Sequence, residues 1–322
     1  MLPIVAQKSF YIQFWGIFCG IMLMGLSSCT QGKTDNSVNS NQPKVVSTST
    51  IIADLTEQIA GDEIEHLGIL KPGTDPHVYE PVPQDSIALE KADLIFYNGY
   101  NLEPGLIKLI RAAGTQGKKV AVGEVVQPLD FEYQGQKQPD PHVWGTAKNA
   151  ILMTNKIRDE LIILSPEDRG IFTNNAAKLT QELTQIDTWI QEQIATIPPE
   201  NRKLVTTHDA FQYYAHGYGL EIIGTLIGIS TEEQPSAKTV KTLASAIQKA
   251  GVPAIFAETT INPQLITTVA EESGVKLAPE QLYSDSIGAP GSQGETYIKM
   301  LVKNTKTIVE ALGGKSTPFN PN

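Results

Sequence analysis

The segment from Pro166 to Ile197 constrains this chain more than any other. Apolar residues recur at Phe172, Ala176, Leu179, Leu183, Ile186, Ile190, Ile194 and Ile197, in steps of three and four that line one face of an α-helix. Ser165 supplies an N-cap, Pro166 a first helical position that needs no N–H donor, and Glu167 and Asp168 two acids for the positive end of the helix dipole. Pro198-Pro199 stops the run. About 32 residues at 1.5 Å each predict a rod roughly 48 Å long. The same pattern suits a coiled-coil seam, but it spans little more than four heptads and has α/β sequence on both sides. A spine packed inside one molecule is the better reading.

Before the spine, KVVSTST, EIEHLGIL, DLIFYN and KKVAVG read as short strands, with helical QDSIALEKA and LEPGLIKLIRAA among them. After it, RKLVTT, LEIIGTLI, PAIFAET and VKLAPE read as strands. The helices of that block are AFQYYAHGY, SAKTVKTLASAIQKA, INPQLITTVAEES and GETYIKMLVKNTKTIVEAL. Strands alternating with helices imply mainly parallel sheets with helices outside. The expected fold is α/β: two lobes, each a mainly parallel sheet flanked by helices, joined by one long rigid helix. The boundaries read as residues 44–164 for the first lobe, 165–198 for the linking helix and 199–322 for the second. About 280 residues exceed the usual size of a single core, which suits two lobes.

Residues 1–28 read as a secretory signal: Lys8, then the apolar run YIQFWGIFCGIMLMGL, then small residues. The run is shorter than the about 20 apolar residues of a spanning helix. Cys29 closes the string LSSC, which resembles a lipobox, so Cys29 is the expected lipidation site and residues 29–43 a lipid-anchored flexible tether. An extracytoplasmic, membrane-anchored location follows, and the protein is expected to be a monomer. Cys19 leaves with the signal, so no internal disulfide is expected and cysteine drops out as a metal ligand. The formal charge is −10 with no Lys/Arg cluster, which argues against a nucleic-acid partner.

The chain has five histidines, and three share a pattern. The string Asp-Pro-His-Val-aromatic occurs twice, carrying His77 and His142, and His208 ends the strand RKLVTT. Ligands of open α/β sheets sit beyond the carboxyl ends of strands. A proline before each of the first two histidines stiffens the backbone and holds the preceding Asp75 and Asp140 extended. Both aspartates are positioned to accept the free ring N–H of a ligating imidazole or to cap the turn. Singly each histidine is an ordinary loop residue; together they point to a metal site. His66, in a strand, and His216, on an amphipathic helix, fall outside it. A carboxylate from the second lobe completes the set, with Asp209, Glu232, Glu233, Glu258 and Asp285 as candidates. Asp285, in a Gly/Pro-rich loop after VKLAPE, ranks first, and Glu258, ending PAIFAE, second and more suited to support a ligand.

At this point the chain resembles a known family, the metal-binding lipoproteins of bacterial ABC importers for manganese, zinc or iron (cluster 9, or cluster A-I). The strings that carry the resemblance are GTDPHVYEP, DPHVW, VTTHDAFQYYAHGYGL, ISTEEQPS, FAETTINP and YSDSIGAPGSQGETYIKML. It implies two lobes on a long helix and ligands at His77, His142, His208 and Asp285. It also implies a partner permease with its cytoplasmic ATPase. The strings are most like the manganese-binding branch, whose members often carry glutamate where this chain has His208. Three imidazoles and a carboxylate also suit zinc, while residues 78–141 lack the His-rich loop common in zinc importers. One Mn2+ or Zn2+ is therefore the expected cargo, manganese ahead, with Fe2+ a third. The rivals are a metallohydrolase on the same set of three histidines and one aspartate, which needs an open coordination position for water, and a surface adhesin. No enzyme activity is expected.

Overall fold

The computed structural model describes residues 42–112, 114, 116–133 and 136–321. The signal segment, Cys29 and nearly all of the tether lie outside the described residues. The first half runs β1 (Lys44–Ser47), α1 (Thr50–Ala60), β2 (Glu65–Gly68), α2 (Pro83–Lys91), β3 (Leu94–Tyr97), α3 (Pro104–Ala112) and β4 (Lys118–Ala121). A hairpin of β5 (Asp130–Tyr133) and β6 (Gln136–Pro139) follows, then α4 (Ala147–Leu164) and α5 (Arg169–Ala195). The second half contains β7 (Lys203–Thr206), α6 (Gln212–Tyr218), β8 (Glu221–Thr225), α7 (Ala237–Ala250), β9 (Ala254–Ile255), α8 (Gln264–Ser273), β10 (Lys276–Leu277) and α9 (Tyr297–Ala311).

The two sheets share one topology. The first is fully parallel in the order β2-β1-β3-β4. In the second, β7 pairs β8 and β9 pairs β10, both parallel, and the Phe256 N–H donates to Val205 O (3.0 Å) to join the pairs. The order β8-β7-β9-β10 repeats the first. Each order reverses direction once, between β1 and β3 and between β7 and β9, and such reversals open the crevices where α/β sheets bind ligands.

The long helix is borne out with two changes. Its first turn, Pro166–Asp168, is 3-10, and the α-helix proper spans Arg169–Ala195. Every apolar position of the predicted stripe is buried, Ile197 just beyond the helix included. It also has a partner that the pattern left unread: α4 folds back along it as a hairpin, capped by the Thr146 hydroxyl accepting the Asn149 N–H (3.2 Å). α1 and α9 complete the bundle against α5.

Strand alternation explains how the bundle and sheets share a core. Successive strand residues face opposite sides of a sheet. Val45, Leu94 and Phe96 point into a large central cluster, while Val46 and Ile95 point to an outer cluster with Leu89, Leu106 and Ile110. Likewise Leu204 and Phe256 point centrally, and Val205 and Ile255 join an outer cluster with Ile247 and Val269. The central cluster runs without a break from Val45 to Leu312 through both halves. A shared core restrains hinge motion more than one linking helix would. Small-angle scattering of metal-free and metal-loaded protein is therefore expected to give the same radius of gyration within error. A contraction of the kind produced by wide hinge closure would refute this.

Candidate metal centre

His77, His142, His208 and Asp285 converge. One potential ligand atom from each lies within 4.8 Å of all the others, and all four residues are buried. His77 stands in the loop after β2 and His142 in the loop after the β5–β6 hairpin. The doubled string has a structural counterpart. Asp75 Oδ1 accepts the His77 backbone N–H at 2.9 Å, and Asp140 Oδ1 accepts that of His142 at the same distance. Each proline locks its own φ and each aspartate closes the same two-residue turn. Asn98, at the end of β3, donates to Pro141 O (2.9 Å), and the Tyr213 hydroxyl of α6 donates to Asp140 O (2.8 Å), so both halves hold the His142 loop. A side chain at Gly145 would meet Tyr213 Cβ at 2.9 Å, so the close approach of this loop to α6 requires glycine.

His208 lies just beyond β7, beside the reversal point of the second sheet, and Glu258 just beyond β9. Glu258 Oε1 accepts the His208 backbone N–H (2.9 Å), and its Oε2 lies 2.5 Å from His208 Nδ1. Asp140 Oδ1 also lies 2.8 Å from His142 Nδ1. Carboxylates on Nδ1 turn the Nε2 atoms of both rings inward. Of the two roles expected for it, Asp75 takes the turn cap, and its Oδ2 accepts from Thr231 Oγ1 (2.6 Å).

At the centre, His77 Nε2 lies 3.2 Å from His142 Nε2, His142 Nε2 3.4 Å from Asp285 Oδ1, and His208 Nε2 3.1 Å from Asp285 Oδ2. His77 Nε2 and Asp285 Oδ2 are 3.9 Å apart. A tetrahedron with metal–donor arms of about 2.1 Å has edges of about 3.4 Å. These separations are close to that edge, so the four side chains could hold one ion. Both Asp285 oxygens and His208 Nε2 are buried without a hydrogen-bond partner among the described residues, an expense that proteins rarely tolerate without a ligand.

The electrostatics agree. Burial pushes the His77 imidazole down to about 3, helped by His142 and His208 and opposed by Asp285, so it stays neutral and able to ligate. Burial also works against the charged form of His208, but Glu258 and Asp285 outweigh it and hold its pKa well above that of a free imidazole. Burial alone would raise Asp285; the His208 charge, with His142 and His77, holds it well below the usual carboxylate range.

The other candidates lie elsewhere. Asp209, Glu232 and Glu233 line a cavity of about 730 Å3 that reaches His77. His66 bonds Ser47 Oγ (2.9 Å) and Glu57 (3.1 Å) on β2, and His216 is exposed on α6. Sequence reasoning missed Asn98, Tyr213 and Trp144; of these, Trp144 was the aromatic in the repeated string.

The family model for ZnuA, zinc-uptake complex component A, periplasmic, matches residues 45–311. The metal ABC transporter substrate-binding lipoprotein FimA of Streptococcus parasanguinis is 35% identical over 298 residues, 90% of this chain and 95% of that protein. The manganese ABC transporter substrate-binding lipoprotein PsaA of Streptococcus pneumoniae is 34% identical over 298 residues, with the same two coverages. Among solved structures, the periplasmic zinc binding protein TroA from Treponema pallidum superposes with a TM-score of 0.80 at 33% identity, covering 84% of this chain and 99% of that one.

Proposed function

We propose, from the premise that the chain belongs to the ZnuA family, that it captures one divalent transition-metal ion outside the cytoplasm and delivers it to an ABC importer. The carrying observation is the buried His77–His142–His208–Asp285 cluster, whose donor spacing is that of a single ion. In this reading all four are ligands, Asp140 and Glu258 orient two of the imidazoles, and the cavity beside His77 is the approach from solvent. The partners are the membrane permease and its cytoplasmic ATPase. Four converging protein donors fit storage and hand-over better than hydrolysis, which needs a position kept for water. Chelator-treated protein should take up one Mn2+ or Zn2+ per chain; no uptake of either would sink the proposal.

Manganese is proposed as the cargo, with zinc its competitor. Imidazole-rich sites suit zinc, whereas carboxylates suit manganese. His208→Glu is expected to lower the ratio of zinc to manganese affinity at least several-fold, by competition at fixed pH. The ratio is the quantity to read, because added negative charge helps any dication. His66→Ala and His216→Ala should leave it unchanged. An unaltered ratio in His208→Glu would remove His208 from the ligand set.

The anchor is proposed at Cys29, supported by the LSSC string and by the naming of the two relatives as lipoproteins. Among the described residues no helix is long and apolar enough to cross a membrane. Mass spectrometry of protein from native membranes should find a diacylated cysteine as the first residue. An unmodified N-terminus elsewhere would exclude it.

A further inference from the structure

Asp285 belongs to the second half of the chain, yet the backbone on either side of it is held by the first. The residues between β10 and α9 form no named helix or strand, so little regular structure fixes them. Trp144 Nε1 donates to Ser284 O (3.0 Å), immediately before the aspartate. Immediately after it, Ser286 Oγ accepts the Gly73 N–H (2.8 Å) and hydrogen-bonds the Thr50 hydroxyl (3.1 Å). Thr50 Oγ1 also accepts the Ile287 N–H (3.1 Å). One step further out, Asn304 of α9 takes Tyr283, accepting its N–H at 2.9 Å.

Trp144 has a second contact. Its indole packs edge-on against the His142 ring, with centroids 5.4 Å apart and planes at 71°. Its own backbone carbonyl accepts the Tyr297 hydroxyl from the start of α9. One side chain thus touches the imidazole of one ligand and the main chain beside another. It is buried, as are Ser284, Ser286 and Thr50.

We propose that Trp144 and Ser286 are positioning residues for metal capture, forming a bracket from the first half that fixes the Asp285 carboxylate opposite the three imidazoles before the ion arrives. The inference rests on the metal-capture reading of the site. A pre-set carboxylate does not have to be ordered at each binding event, so loosening the bracket acts on retention of the ion. Losing outer partners of metal ligands typically weakens affinity 10- to 100-fold.

The test is Trp144→Phe, which keeps an aromatic ring against His142 but removes the indole N–H, alongside Ser286→Ala. Mn2+ affinity is expected to fall about tenfold or more in each, chiefly through faster release into excess chelator. The visible absorption of the Co2+-loaded variants should change in shape and intensity, because those bands report the arrangement of ligands around the ion. Simple loss of fold stability would not alter that spectrum in the folded fraction. Should Trp144→Phe fail to fold, Ser286→Ala alone decides. Release rates and Co2+ spectra matching wild type would overturn the bracket. Wild-type protein that takes up no Mn2+, Zn2+ or Co2+ would instead overturn the metal-capture reading, and the bracket with it.

Discussion

Asp285→Asn is expected to reduce Mn2+ affinity by more than about 100-fold, beyond the range typical of losing an outer-shell partner, while the fold survives. The substitution preserves shape and removes the only anion among the four proposed donors. Because the site is buried, water cannot stand in for that charge at close range. Isothermal titration at neutral pH reads the change directly, with circular dichroism to confirm folding. Glu233→Gln, on the cavity wall, should leave the affinity within about threefold. An Asp285→Asn protein that binds like wild type would exclude Asp285 and return the search to Asp209, Glu232 and Glu233.

The second large effect is metal-dependent stability that fades in acid. At a hundred times the dissociation constant, bound metal adds about 2.7 kcal/mol, or roughly 5 °C in melting temperature for a chain of this size. The sign of the pH dependence follows from two of the ligands. His77, held at about 3, stays neutral throughout the useful range and contributes no competition. His208, raised by Glu258 and Asp285 against the effect of burial, holds a proton more readily than a free imidazole does, and the ion must displace any proton held there. A raised folded-state pKa stabilises the metal-free fold fully below the unfolded value of about 6.5 and loses that contribution as pH climbs through the folded value. Acid therefore favours the metal-free form, and the metal gain shrinks by about 1.4 kcal/mol per pH unit for each proton displaced. Differential melting at fixed total Mn2+ should show a clear shift near pH 7.5 and almost none two units lower. A shift that is equal at both would mean that no histidine proton competes with the ion.

Much of this was legible in the residues, and the reasons are particular. The Asp-Pro-His-Val string is local chemistry: proline, aspartate and histidine build the same turn wherever they occur together, and it did so at His77 and His142. The apolar stripe of α5 was legible because its period persists over about seven turns between firm stops. α4 was not, although its buried Ala147, Ala150, Met153, Ile157 and Leu161 have the same spacing. No glycine closes it, and Ser165-Pro166, which ends it, also starts the next element. The β5–β6 hairpin escaped because β6 is polar and largely exposed, without alternation to read. β9 and β10 are two residues each, too short to carry a period, though PAIFAET and VKLAPE marked their places. The supports of the Asp285 loop were illegible in principle. Thr50, Gly73 and Trp144 lie 140 to 237 residues from their partners, and only the folded chain brings them together.

The shared core also sets a timetable. α9 is the last helix, yet it packs on α1, near the start, and the Tyr297 N–H donates to Asp54 Oδ2 across 243 residues of chain (2.9 Å). A nascent chain emerging N-terminus first can pack α1, α4 and α5 on one another, but the faces of α1 and α5 that meet α9 stay uncovered until nearly the whole protein has been made. Long-range contacts of this kind slow folding and leave sticky surface exposed meanwhile. The shared core is therefore completed only when the final helix arrives.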